Sequence, residues 1–208
     1  SALGQRLQML HHVIKKDPES YEPEIRGQLA NWRRRLAAWE VTPLGLHKEL
    51  GEISVFLAHN APKYPELLAD FPEEAMGVLG RNCSRMSSEL QLKLTEALTV
   101  LCARKALPVV SVCEVLFRVL AVGDKKVRRL AAASALGAIK RFNAHTVNQE
   151  ANRRLQRGLA VYLHGQDTRA GRIAINFFVE LYRRKMWDDD HVVNIIGAAC
   201  FSRQSKVR

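Results

Sequence analysis

Glu180, Trp187 and Asp188 are the residues of this 208-residue chain that come nearest to a catalytic set. A carboxylate beside an aromatic ring on a cationic face is the equipment of an enzyme that excises alkylated DNA bases, although nothing in their spacing demands that chemistry. The run Asp188-Asp189-Asp190 has the composition of a metal site. It reads better as a helix start, where carboxylates accept hydrogen bonds from free backbone amides and oppose the positive helix end. The seven histidines, at 11, 12, 47, 59, 145, 164 and 191, form no H-E-x-x-H motif and no Cys/His ligand spacing. Phosphate-cradling glycine loops and the G-x-S-x-G nucleophile turn are absent from the sequence. No cofactor or small-molecule substrate is expected. Trp32, Trp39 and Trp187 read as core or interface anchors.

The cations carry more information. Lys and Arg number 32 against 21 Asp and Glu, a formal charge of +11. Residues 1–104 hold 13 of each sign, whereas residues 105–208 hold 19 cations and 8 acids. A general bias toward solubility would not be partitioned in this way, so the second half reads as the surface for a polyanion. With no zinc-finger spacing, basic zipper or aromatic-rich RNA-recognition stretch, contacts to backbone and shape would carry the binding. RNA or a ribonucleoprotein fits that better than a particular DNA sequence.

These residues sit in a chain whose apolar positions recur three and four apart, the period of an amphipathic helix. Hairpin signals such as Asn-Gly or Asp-Gly are missing, and no run approaches the roughly 18 apolar residues of a membrane span. The chain therefore reads as soluble and all-α, without a membrane partner. Its start, Ser1-Ala2-Leu3-Gly4-Gln5-Arg6, lacks the layout of a secretory signal. Cys83, Cys102, Cys113 and Cys200 form no C-x-x-C pair and read as buried free thiols of a reducing compartment.

Cap and proline signals predict helices at about 5–16, 18–39, 43–61 and 73–80, with Asp17-Pro18 and Thr42-Pro43 opening the second and third. From Ser88 the punctuation becomes regular, predicting helices at about 88–104, 108–121, 124–142, 148–164, 168–185 and 189–201. Short turns make sequential neighbours antiparallel, so these six form three hairpins. Asp124, Arg129, Leu130 and Ala131 align with Asp167, Arg172, Ile173 and Ala174 at an offset of 43 residues. That offset falls in the period of HEAT and armadillo repeats. The expectation is one elongated helical-repeat domain over 1–208, less regular over 1–86 and built of three HEAT-like hairpins over 88–201. An irregular helical bundle remains the alternative.

Stacked hairpins would sort the cations into two edges. Lys125, Lys126, Arg128, Arg129, Arg169 and Arg172 would lie along one. Lys140, Arg141, Arg153, Arg154, Arg157, Arg183, Arg184 and Lys185 would lie along the other, around the hairpin turns. Cations repeated roughly every 10 Å can track a phosphate backbone. Because some HEAT-like proteins are DNA glycosylases, base excision remains a second reading, and a protein–protein adaptor whose charge is incidental is a third.

Three segments carry a resemblance: Ile14-Lys15-Lys16-Asp17-Pro18-Glu19-Ser20-Tyr21; Phe56-Leu57-Ala58 with Tyr64-Pro65-Glu66-Leu67-Leu68-Ala69-Asp70-Phe71-Pro72; and Glu180-Leu181-Tyr182-Arg183-Arg184-Lys185-Met186-Trp187-Asp188-Asp189, continuing to Ala199-Cys200-Phe201-Ser202. In this order and spacing the chain resembles the N-terminal domain of the Sda family, named for severe depolymerisation of actin. The resemblance implies a non-enzymatic α-solenoid of the nucleus and nucleolus, acting on pre-60S ribosomal particles in large-subunit maturation and export. Its implied partners are ribosomal RNA together with assembly-factor or ribosomal proteins, and its implied links to actin organisation and the cell cycle are indirect. Family members are much longer, so the stop at Ser205-Lys206-Val207-Arg208 reads as the end of a fragment whose pattern would continue into another helix.

Overall fold

Helix starts in this protein are set by side chains that satisfy the first free amides. Asp124 Oδ1 accepts from the Lys126 and Val127 N–H groups at 2.8 and 2.9 Å. Asp167 Oδ1 accepts from Arg169 and Ala170 at 2.9 and 3.2 Å. Ser87, Asn148 and Asp189 cap their helices in the same way. The computed structural model describes residues 1–43, 47–165 and 167–201. Over these it contains α1 (Ala2–Ile14), α2 (Glu22–Val41), α3 (Lys48–Asn60), α4 (Phe71–Asn82), α5 (Ser88–Ala103), α6 (Val109–Val122), α7 (Lys125–Phe142), α8 (Gln149–Ala160), α9 (Thr168–Arg183) and α10 (Asp190–Cys200). The protein is all-α, and no strand occurs among the described residues.

Two N-terminal cap assignments change. Asp17 accepts from Ser20 N–H and opens a short 3-10 turn, Glu19–Tyr21; the α-helix begins at Glu22, with Pro23 in its first turn. Thr42 closes α2 instead of opening α3, because its hydroxyl donates to the Ala38 carbonyl at 3.1 Å. Leu44, Gly45 and Leu46, within the expected start of the third helix, lie outside the described residues, as do Ser202 and the terminal Ser205-Lys206-Val207-Arg208.

The chain divides into two compact units, the second beginning at Val109. In the first, α3 packs against α1, α2 and α5, while α4 packs on α5. The α3–α5 approach needs Gly51, since a Cβ there would lie 2.7 Å from Lys93 Cβ. Trp32 is fully buried, meets Phe71 edge-on at 5.1 Å and donates to Ser54 Oγ at 2.8 Å. Trp39 is also buried. Trp32 thus contributes a large apolar area as well as one directional bond.

In the second unit α6 is central, packed against α7, α8 and α9, with α10 on α9. The 43-residue likeness extends to burial. Val127, Ala131, Ser134, Ala135 and Ala138 on α7 are buried, and so are Ala170, Ala174, Phe177, Phe178 and Leu181 on α9. Trp187 lies against Phe178, with ring centres 5.7 Å apart. Cys83, Cys102 and Cys113 are buried and in no disulfide, but Cys200 is exposed, because among its residues α10 buries only Val192. Among the described residues no helix is long and apolar enough to cross a membrane.

Candidate nucleic-acid interface

The charge partition follows the division into units. Residues 1–108 carry 14 cations and 13 acids; residues 109–208 carry 18 and 8. In the first unit, three arginines are matched by acids, two of them across helices. Arg33 binds Glu74 through two nitrogens, Arg35 binds Glu49, and Arg26 binds Glu22. By sequence proximity, Glu22, Glu24 and Glu40 are the acids expected to offset the Arg33-Arg34-Arg35 run. The structure supplies Glu74 and Glu49 instead, since helix packing brings α4 and α3 alongside α2.

In the second unit five of the eight acids serve helix starts. Asp124, Asp167 and Asp189 cap α7, α9 and α10, and Glu150 and Asp190 lie in first turns. Asp189 also accepts from Gln156 Nε2 at 2.9 Å. Burial pushes its carboxyl upward, but the hydrogen bonds from Gln156 and from the Val192 and His191 amides, with the nearby His191 charge, leave it below the ordinary aspartate value. The Asp188–Asp190 run is thus a helix start, and among the described residues no group of three or more His, Cys, Asp or Glu could hold a metal ion.

Lys125 and Lys126 occupy the first turn of α7, with Arg128 and Arg129 just after, all but Arg128 exposed. Arg169 and Arg172, both exposed, hold the matching stretch of α9. The two stretches meet at the end of α6. Arg128 Nη1 and Arg169 Nη2 donate to the Gly123 carbonyl oxygen at 2.8 and 2.7 Å. Gly123 fits there because a Cβ would lie 2.8 Å from the Val119 carbonyl.

A second meeting point gathers the opposite ends. Asn143, which follows α7, exchanges two hydrogen bonds with Asn152 of α8, at 2.8 and 3.1 Å. Asn152 Oδ1 also accepts from Trp187 Nε1 at 3.2 Å, tying in the turn after α9. Lys140 and Arg141 precede this node on α7, Arg153 and Arg157 project from α8, and Arg183, Arg184 and Lys185 end α9; all seven are exposed. Two cations of this edge are engaged: Arg154 binds both oxygens of Glu114 at 2.8 and 3.1 Å, and Arg184 binds Glu180 at 2.5 Å. Lys185 takes the left-handed conformation at φ 54°. Sequence reasoning does not single out Asn143, Asn152 or Gln156. The signal for Asn152 and Gln156 is the α8 stripe Asn152, Leu155, Gln156, Leu159, helical core spacing with two amide members, all four buried.

The base-excision set does not assemble. Glu180 is held by Arg184, and Trp187 is 1% exposed, so its ring has no free face for a nucleobase. Tyr182, near the end of α9, is 42% exposed.

Comparison with known proteins gives one consistent result. A family described as "SDA1, HEAT repeat" matches residues 56–208. A Protein SDA1 homolog from Dictyostelium discoideum is 28% identical over 97% of this chain and 27% of its own length. One from Xenopus tropicalis is 29% identical over 99% of the chain and 30% of its own length. Protein SDA1 from Chaetomium thermophilum is 26% identical over 95% of the chain and 27% of its own length. The chain thus spans less than a third of the length of these curated relatives.

Proposed function

Because the chain belongs to the SDA1 family and carries its HEAT-repeat fold, we propose that it is a non-catalytic scaffold in large ribosomal subunit assembly, holding pre-ribosomal RNA and neighbouring proteins in place on pre-60S particles. The nucleus and nucleolus are its place of action, subunit export the step its work permits, and any effect on actin an indirect one. The observation that carries this reading is the second unit's charge, 18 cations against 8 acids. Its acids are largely committed to helix starts and ion pairs, and its cations are gathered at the two ends of the repeat helices. Such edges suit phosphate oxygens, which position a protein on nucleic acid without reading its sequence.

The deciding test is binding of the 208-residue chain to in vitro transcribed pre-ribosomal RNA with no other protein present. Affinity should fall with salt by roughly 0.7–0.9 log units per log unit of salt for each phosphate neutralised, and unrelated RNAs of similar shape should compete well. Absence of binding at low salt would overturn the RNA reading. Release of an alkylated base from DNA, abolished by Glu180→Gln, would establish the enzymatic alternative instead.

A further inference from the structure

The two edges differ in how their charge relates to folding. Lys140, Arg141, Arg157 and Arg183 occupy last turns, where cations complement the negative end of a helix. Folding alone gives a reason for them. Lys125 and Lys126 occupy the first turn of α7, where the positive helix end disfavours cations, and Arg129 follows one turn after Lys125. α1, α6, α7 and α9 have no acid in their first turns, whereas α2, α3, α4, α5, α8 and α10 do, and of those four only α7 and α9 place Lys or Arg there. Lys125, Lys126 and Arg129 are exposed and form no ion pair among the described residues. Neither an ion pair nor a last-turn position ties these three to the fold.

Arg128 and Arg169 reinforce the pattern. Their guanidinium nitrogens share the Gly123 carbonyl and so lie closer together than two hydrogen-bond lengths. Like charges at that separation repel, and the oxygen between them offsets the repulsion. The bond from Arg169 fixes the start of α9 beside the start of α7, which concentrates the cations of two repeats in one patch.

We infer that this patch is the principal grip on an RNA phosphodiester backbone, with Lys125, Lys126 and Arg129 as phosphate contacts and with Arg128 and Arg169 as positioning residues that set the spacing. The inference rests on the RNA-binding reading above and goes beyond it by ranking the two edges.

Its test neutralises each edge in the 208-residue chain: Lys125→Ala/Lys126→Ala/Arg129→Ala against Lys140→Ala/Arg141→Ala/Arg183→Ala. The probe is an end-labelled pre-ribosomal RNA fragment, titrated at several salt concentrations. The first triple should lose at least 100-fold in affinity and flatten the salt slope by about two units, as expected for three lost contacts. Its melting temperature should stay level or rise, which separates the loss from unfolding. The second triple should lose less than fivefold. Arg169→Ala should weaken binding about tenfold with the salt slope unchanged, and Arg169→Lys should restore it; a slope reduced by one contact would make Arg169 a phosphate ligand and overturn its positioning role. Equal losses from both triples would overturn the ranking and leave the RNA reading intact. If the wild-type chain ignores RNA at low salt yet binds polyglutamate, both readings fail and the patch is a site for an acidic protein.

Discussion

Truncating Trp187 probes the joint on which the second edge is built. Its indole is 1% exposed, packs on Phe178 at 5.7 Å and donates to Asn152 at 3.2 Å. Trp187→Ala removes that apolar volume from between α9 and the α10 start and leaves a cavity, for a cost of about 3–5 kcal/mol. The lost hydrogen bond, about 1 kcal/mol, is part of that sum, and Asn152 Oδ1 keeps its bond from Asn143. Trp187→Phe retains an apolar ring and should cost about 1–2 kcal/mol. Arg183→Glu with Arg184→Glu alters exposed groups and one surface ion pair, and should cost under about 1 kcal/mol. Urea unfolding followed by circular dichroism measures all three on one scale. A Trp187→Ala cost below about 1 kcal/mol would show that the indole does not hold α9 to the start of α10. If that variant kept its stability but lost RNA binding, the ring would be a contact residue and not a core anchor.

Two further outcomes are expected. Lys105 and Lys185 end α5 and α9 at φ 61° and 54°, each in a motif whose two backbone bonds close the helix, so a left-handed lysine stands where glycine is favoured. Lys185→Gly should raise stability by about 0.5–1 kcal/mol in the same unfolding assay, and a loss would show that the lysine side chain is held by contacts that outweigh the strain. Asp189 is shifted below its ordinary value in the fold, so its stabilising contribution is complete above about pH 4 and is lost as pH falls through the lower folded value. Asp189→Asn, which preserves a capping oxygen, should flatten the fall in urea midpoint between about pH 5 and 3; an unchanged pH profile would rule out this carboxylate as the source.

The helices, most of their caps and the charge partition are legible in the sequence, because each depends on neighbours within about a turn or on bare counting. Asp124 and Asp167 cap their helices as their spacing implies, and Ala131 and Ala174 are buried at equivalent places. The same local signals misplace the roles of Asp17 and Thr42, since a polar residue before proline can as well serve a 3-10 turn or close the preceding helix. What tertiary structure alone decides is which cations are held and by what. Glu114 reaches Arg154 across 40 residues of chain, and Arg169 reaches the Gly123 carbonyl across 46. A backbone carbonyl has no letter in the sequence, so no pattern of residue types could reveal that acceptor. The Asn152–Trp187 bond likewise exists only because α8 and the start of α10 are packed into reach. Periodicity says which face of a helix is buried; the partner that face finds depends on how helices far apart in the chain come to lie side by side.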